Sequence, residues 1–182
     1  EFDISAAHRS ATAIRSLLTL GESAFRLEHE ASPLGDVFID PKTCTGCANC
    51  TRVCPTHALR WEEDPSRVAI SFEHGLCVNC DICVELCPEK TSGAIEVIPA
   101  VDTAALTDSP RILYEQEQAR CERCGEPMGS VALIRKIEAS LRENKNIDDR
   151  TIAMVTKRCA RCSGAGPLDP PDAPGNKGPL IF

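Results

Sequence analysis

Near the start of the chain, apolar side chains recur at alternating steps of three and four: Ile4, Ala7, Ala11, Ile14, Leu18, Gly21 and Phe25. Leu17 lies beside them, and Arg9, Arg15, Glu22 and Arg26 fall on other faces. This period predicts an amphipathic helix over residues 4 to about 30, ended by Ser32-Pro33, because a residue before proline is steered away from helical angles. Such a helix either packs on its own domain or is offered to a partner subunit. The pattern then changes. Val37 to Ile39, Ala58 to Trp61, Val68 to Phe72 and Ala94 to Ile98 are short extended runs, and Arg111 to Glu115 reads as a further strand. Ser130 stands as an N-cap before a helix whose Val131, Ile134, Ile137, Glu138 and Leu141 form one mostly apolar face. Asp148 caps a shorter helix carrying Ile152 and Val155. From Ser163 to Phe182 there are five prolines and four glycines, so this stretch reads as an extended tail with no core of its own.

Composition adds a difficulty and its remedy. Aromatic residues make up 4% of the chain, which predicts a thin core, while twelve cysteines all lie in C-x-x-C units or extend one. That is metal-ligand spacing rather than a disulfide framework, and it implies a reducing, cytoplasmic setting. No run of about 18 apolar residues predicts a membrane span, and neither a signal segment nor a twin-arginine start is visible. The formal charge of -7 makes nucleic acid an unexpected partner and a positively charged protein surface an expected one.

The cysteines are ordered. CTGCANCTRVCP, Cys44 to Pro55, is repeated as CVNCDICVELCP, Cys77 to Pro88, and each copy sits between two of the short strands. Three thiols at i, i+3 and i+6 in a tight loop can wrap one face of a compact iron-sulfur cluster. Gly46 lets the backbone approach it, and Pro55 and Pro88 fix φ where the chain leaves. Two zinc sites are the alternative, for which the spacing is poor. Residues 37 to 98 resemble a bacterial two-cluster 4Fe-4S ferredoxin, with CPTHAL standing where that family commonly has a CPTGAI-like exit. The resemblance implies that the fourth cysteine of each run crosses to the other cluster. Cys44, Cys47, Cys50 and Cys87 would then hold the first cluster, and Cys77, Cys80, Cys83 and Cys54 the second. It also implies electron transfer, since irons saturated by thiolate and sulfide leave no open substrate position. No ligand position is replaced, so a 3Fe-4S site is not indicated. His57 reads as a surface turn residue or a tuner of a cluster, and Trp61 as packing.

Cys121-x2-Cys124 and Cys159-x2-Cys162 form a third constellation, two knuckles suited to structural zinc; a third iron-sulfur cluster and a redox-active dithiol pair are the alternatives. Arg120, Arg123, Lys157, Arg158 and Arg161 make this region locally basic, either as a solvated face or as a docking patch. CERCGEPMGSVALIRKIEASL followed by KRCARC resembles the C-terminal extension of ferredoxin-type proteins associated with molybdenum or tungsten oxidoreductases. That resemblance implies a large catalytic oxidoreductase subunit as partner and a hetero-oligomer. The expected fold class is α+β: an N-terminal helix (1–33), a ferredoxin-like two-cluster module with short strands and helices (34–100), a small zinc-ribbon-like α/β module (101–162) and the tail (163–182). The chain has no dinucleotide fingerprint and no nucleophile with a matched base, so it is expected not to be an enzyme by itself. It reads as the electron-relaying subunit of a larger oxidoreductase, of the molybdenum, tungsten or hydrogenase type; the alternative is an iron-sulfur and zinc sensing or interaction module.

Overall fold

The computed structural model describes residues 24–107 and 110–164, together with Arg9, Thr12, Ala13 and Ser16 as helical positions upstream. The expected N-terminal helix otherwise lies outside the described residues up to residue 23, and so does the tail beyond residue 164.

Among the described residues, seven strands form two antiparallel sheets, joined by short helices. Strands β1 (Arg26–Glu28), β2 (Gly35–Ile39) and β5 (Ile95–Asp102) lie in the order β1-β5-β2. Strands β3 (Leu59–Glu63), β4 (Arg67–Phe72), β6 (Arg111–Arg120) and β7 (Pro127–Ser130) follow one another in the second sheet. The pairing of β2 with β5 and of β3 with β4 gives the duplicated region its symmetry, because the outer strands of the repeat pair with each other and so do the inner ones.

The expected strands within residues 37–98 are present, and β6 continues from the expected Arg111 start as far as Arg120. The reading of a helix to about residue 30 is corrected: Arg26–Glu28 is a strand, paired with Asp102, Val101 and Ala100. The edge of β5 offers ladder hydrogen bonds there. The Phe25 N–H also donates to Thr103 Oγ1 at 2.8 Å, and the Arg26 guanidinium reaches Asp36 and Asp102. Tertiary pairing outweighs a local helical period when it satisfies backbone and side chain together.

The second sheet crosses the boundary expected at residue 100, since β6 pairs with β4 over Arg67 to Phe72. Helices α1 (Asn49–Val53) and α2 (Ile82–Glu85) lie within the cysteine runs, and α3 (Thr103–Thr107) follows β5. Helix α4 (Val131–Glu143) begins at Ser130, whose hydroxyl accepts the Leu133 N–H, and α5 (Asp149–Lys157) begins at Asp148, which accepts the Thr151 N–H. Both caps stand where the sequence placed them. Helix α6 (Ala160–Ser163) carries the last knuckle.

The main core lies between the strands and the cysteine runs: Val37, Ile39, Leu59, Ile70, Phe72, Ile95 and Tyr114, with the thiols of Cys77 and Cys83. Few aromatic rings contribute, and sulfur takes their place. Alternation along a strand does the positioning, because Val37 and Ile39 face one side of β2 and meet Val97 and Ile95 directly across.

Candidate metal centres

Both cysteine runs adopt one backbone shape. Gly46 and Asn79, each just before the second cysteine of its run, have φ of 64° and 53°; Ala48 and Asp81, each just after it, have φ of 60° and 57°. Two left-handed residues flanking one cysteine curl the chain so that its amides turn inward. The Gly46 N–H points at Cys44 Sγ, 3.4 Å away, and the Asn79 and Gly35 amides face Cys77. Helices α1 and α2 then carry the third cysteines, Cys50 and Cys83. Sequence inspection singled out Gly46 alone of these four turns, because Ala, Asn and Asp carry no comparable signal.

Two adjacent cavities result. One is lined by Cys44, Cys47 and Cys50 of the first run and Cys87 of the second, against Ile39, Ile70 and Ile95. The other is lined by Cys77, Cys80 and Cys83 of the second run and Cys54 of the first, against Val37, Leu59, Phe72 and Val97. Neighbouring rungs of the same strands thus wall off neighbouring cavities. His57 is exposed and lines neither. Trp61 packs against the core while its indole N–H donates to Glu63 Oε2 at 3.1 Å.

Burial governs the thiols in both cavities. It pushes Cys44 up to about 11 and Cys50 to about 12, with neighbouring thiolates adding to the effect. Cys77 rises to about 11 and Cys83 to about 12 for the same first reason. At neutral pH these groups are protonated, so any metal they bind displaces protons. Four sulfurs per cavity, apolar walls and inward amides fit a 4Fe-4S group in each.

The third group is built differently. Cys121 directly follows β6, Gly125 turns the chain at φ 73°, and Cys159 precedes α6, which carries Cys162. The Glu122 N–H donates to the Lys157 carbonyl at 2.9 Å and ties the two knuckles together. All four sulfurs lie within 4.8 Å of one another, with Cys124 and Cys159 3.6 Å apart. Among the described residues no other group of three or more such ligands is drawn so close. Burial disfavours the Cys121 thiolate, but the amides of Cys159, Cys124 and Arg123 outweigh it and bring this thiol down to about 6. All twelve cysteines are free of disulfides.

The basic character of this region is largely spent internally. Lys157 pairs with Glu122 at 3.1 Å and Arg161 with Glu126 at 2.9 Å, while Arg120 caps the carbonyls of Gly125 and Pro65.

Two elements were not legible beforehand. Asp36, 7% exposed, is held by Arg26 from β1 and Arg111 from β6, and Arg111 also lies 5.3 Å over the Phe72 ring. His74 is 1% exposed, and its Nε2 accepts the Asp102 N–H at 3.0 Å.

Residues 43–91 match the family model of the 4Fe-4S dicluster domain. No curated protein matches the chain. The family match, together with the cysteine geometry, supports an iron-sulfur protein of ferredoxin type with an electron-transfer role. No helix among the described residues is long and apolar enough to cross a membrane.

Proposed function

We propose that this chain is an electron-transfer subunit, relaying single electrons through two 4Fe-4S clusters inside a larger oxidoreductase complex of the molybdenum, tungsten or hydrogenase type. Cys44, Cys47, Cys50 and Cys87 hold the first cluster, and Cys54, Cys77, Cys80 and Cys83 the second. The observation that carries the reading is that each cavity is lined by three cysteines of one run and the fourth cysteine of the other. Such cross-closure suits two compact polynuclear groups side by side. When bound, each cluster supplies a one-electron couple. The chain's own residues supply the surroundings: apolar rungs from β2, β3, β4 and β5 limit water, and inward amides stabilise thiolate charge.

The third group is assigned to one structural zinc. Tetrahedral zinc with Zn–S bonds of about 2.3 Å sets its sulfurs about 3.8 Å apart, close to the 3.6 Å between Cys124 and Cys159. A cubane holds its four thiolates on four separate irons and spreads them wider. The ion pairing of Lys157 and Arg161 lowers the net positive charge of this patch, which speaks against a nucleic-acid-binding sensor, and the acidic chain favours a protein partner with a basic docking face.

The test is anaerobic purification of the native protein, with iron, zinc, molybdenum and tungsten quantified and the co-purifying chains identified by mass spectrometry. About eight irons and one zinc per chain are expected, alongside a large catalytic subunit and a visible absorbance that dithionite bleaches. Fewer than about four irons would sink the two-cluster reading, and a solitary protein with full metal content would point to a diffusing carrier.

A further inference from the structure

Tyr114 is the only tyrosine of the chain and, at 2% exposure, one of its largest buried side chains. It comes from β6, outside the residues that match the dicluster model. Its ring edge stands against the loop between Cys44 and Cys47: a Cβ placed on Gly46 would meet Tyr114 Cε1 at 2.8 Å. Its hydroxyl is buried and meets no partner at full hydrogen-bond geometry, with the Ser130 and Gln116 side chains beside it. Both of these neighbours are partly engaged. Ser130 Oγ gives its proton to the Thr45 carbonyl and takes the Leu133 N–H, and the Gln116 side-chain oxygen takes the Glu117 N–H. Burial first, and then the charge of Cys44, push the Tyr114 phenol up, so it is a neutral donor. A buried O–H with an unspent proton is costly, and such a group calls for an acceptor. Among the acceptors on that side are the sulfurs at the Cys44–Cys47 end of the first centre, whose charge reaches the phenol.

We propose that Tyr114 donates a hydrogen bond to sulfur at this end of the first centre and thereby raises its reduction potential. No proton is transferred. The proposal rests on the reading that Cys44, Cys47, Cys50 and Cys87 hold a 4Fe-4S cluster. Reduction adds negative charge to the sulfurs, so a fixed O–H dipole stabilises the reduced state more than the oxidised one; hydrogen bonds to sulfur are among the levers that set cluster potentials. The second centre has a hydroxyl from the exit of the first run, Thr56 Oγ1, 3.6 Å from Cys54 Sγ. The first receives its hydroxyl from a strand beyond the duplicated region. Tyr114 is thus a positioning and tuning residue through which the C-terminal part of the chain acts on the first centre.

The experiment is a redox titration of the full, anaerobically prepared chain followed by electron paramagnetic resonance, comparing wild type with Tyr114→Phe. That variant keeps the ring on Gly46 and removes only the hydroxyl. A Cys47→Ser chain identifies which signal belongs to the first centre. The expected result is a shift of the first centre's reduction equilibrium by about tenfold toward the oxidised form, about 59 mV for one electron, with the second centre unmoved. One exchangeable-proton coupling of the reduced first centre should vanish in the same variant. Because the chain has a single tyrosine, global replacement by 3-fluorotyrosine alters Tyr114 alone, and the stronger donor should move the potential in the opposite sense. Two reducible clusters whose potentials stay in place, or move together, in Tyr114→Phe would overturn this proposal and leave the two-cluster reading intact. A chain that binds no iron would overturn both.

Discussion

At the scale of single residues, left-handed turns and buried polar groups decide most. Gly46 has φ 64° and packs against Tyr114 and Ser130, whereas Gly125, at φ 73°, meets nothing within 4 Å. Gly125→Ala should therefore cost only the left-handed penalty, about 1 kcal/mol. Gly46→Ala adds a collision with a buried ring and should abolish the first centre while sparing the second, halving the iron content. Iron analysis and urea midpoints of the two variants separate these cases. His74 gives a pH signature. Burial lowers its pKa, outweighing the pull of Asp36 and Asp102, so the unfolded chain binds the proton more readily than the folded one. Stability should be complete above the unfolded value of about 6.5 and fall as pH drops below it, until the folded value is passed. His74→Gln should lack this component, so the difference in urea midpoint between wild type and variant should shrink from pH 7.5 toward pH 5.5. A constant difference would show that His74 does not titrate with folding.

At the scale of elements, two ties hold strands from distant parts of the chain. Asp36 on β2 joins Arg26 on β1 to Arg111 on β6 and so links the two sheets. Charge-assisted hydrogen bonds contribute about 1.5–3 kcal/mol when buried. The two arginine side chains are 35% and 37% exposed, which discounts that range. Asp36→Asn should cost about 2 kcal/mol, with Arg26→Ala and Arg111→Ala each showing part of the loss in a double-mutant cycle. The caps at Ser130 and Asp148 were legible because they depend on neighbours three residues away. The strand at Arg26–Glu28 was not, because its partners are at residues 100–102 and its local pattern continues a helical period.

At the scale of the whole molecule, the C-terminal module meets the first cysteine loop directly. Ser130 bonds to Thr45, Lys136 pairs with Glu89 at 3.2 Å, and Tyr114 packs on Gly46. If Cys121, Cys124, Cys159 and Cys162 hold the module together through zinc, then Cys121→Ser should lose that metal and loosen α4 to α6 in hydrogen exchange. The first centre should then bleach in air faster than the second. Equal bleaching rates would mean that the module does not support the site it touches.

What the sequence determined by itself is local: the cysteine runs, the short strands between them, the helix caps and the tight turn at Gly46. Each of these follows from residues within a few positions of one another, where spacing and φ preference act directly. Only the tertiary structure decided that β6 extends the sheet of the duplicated region, that Asp36 sits between two arginines and that Tyr114 meets the first cysteine loop. These contacts join residues tens of positions apart and depend on how sheets pack, so no period or motif in the chain announces them. Residues 101–120 illustrate the division: their strand was readable, but the buried hydroxyl it delivers became visible only when β6 was laid beside β4.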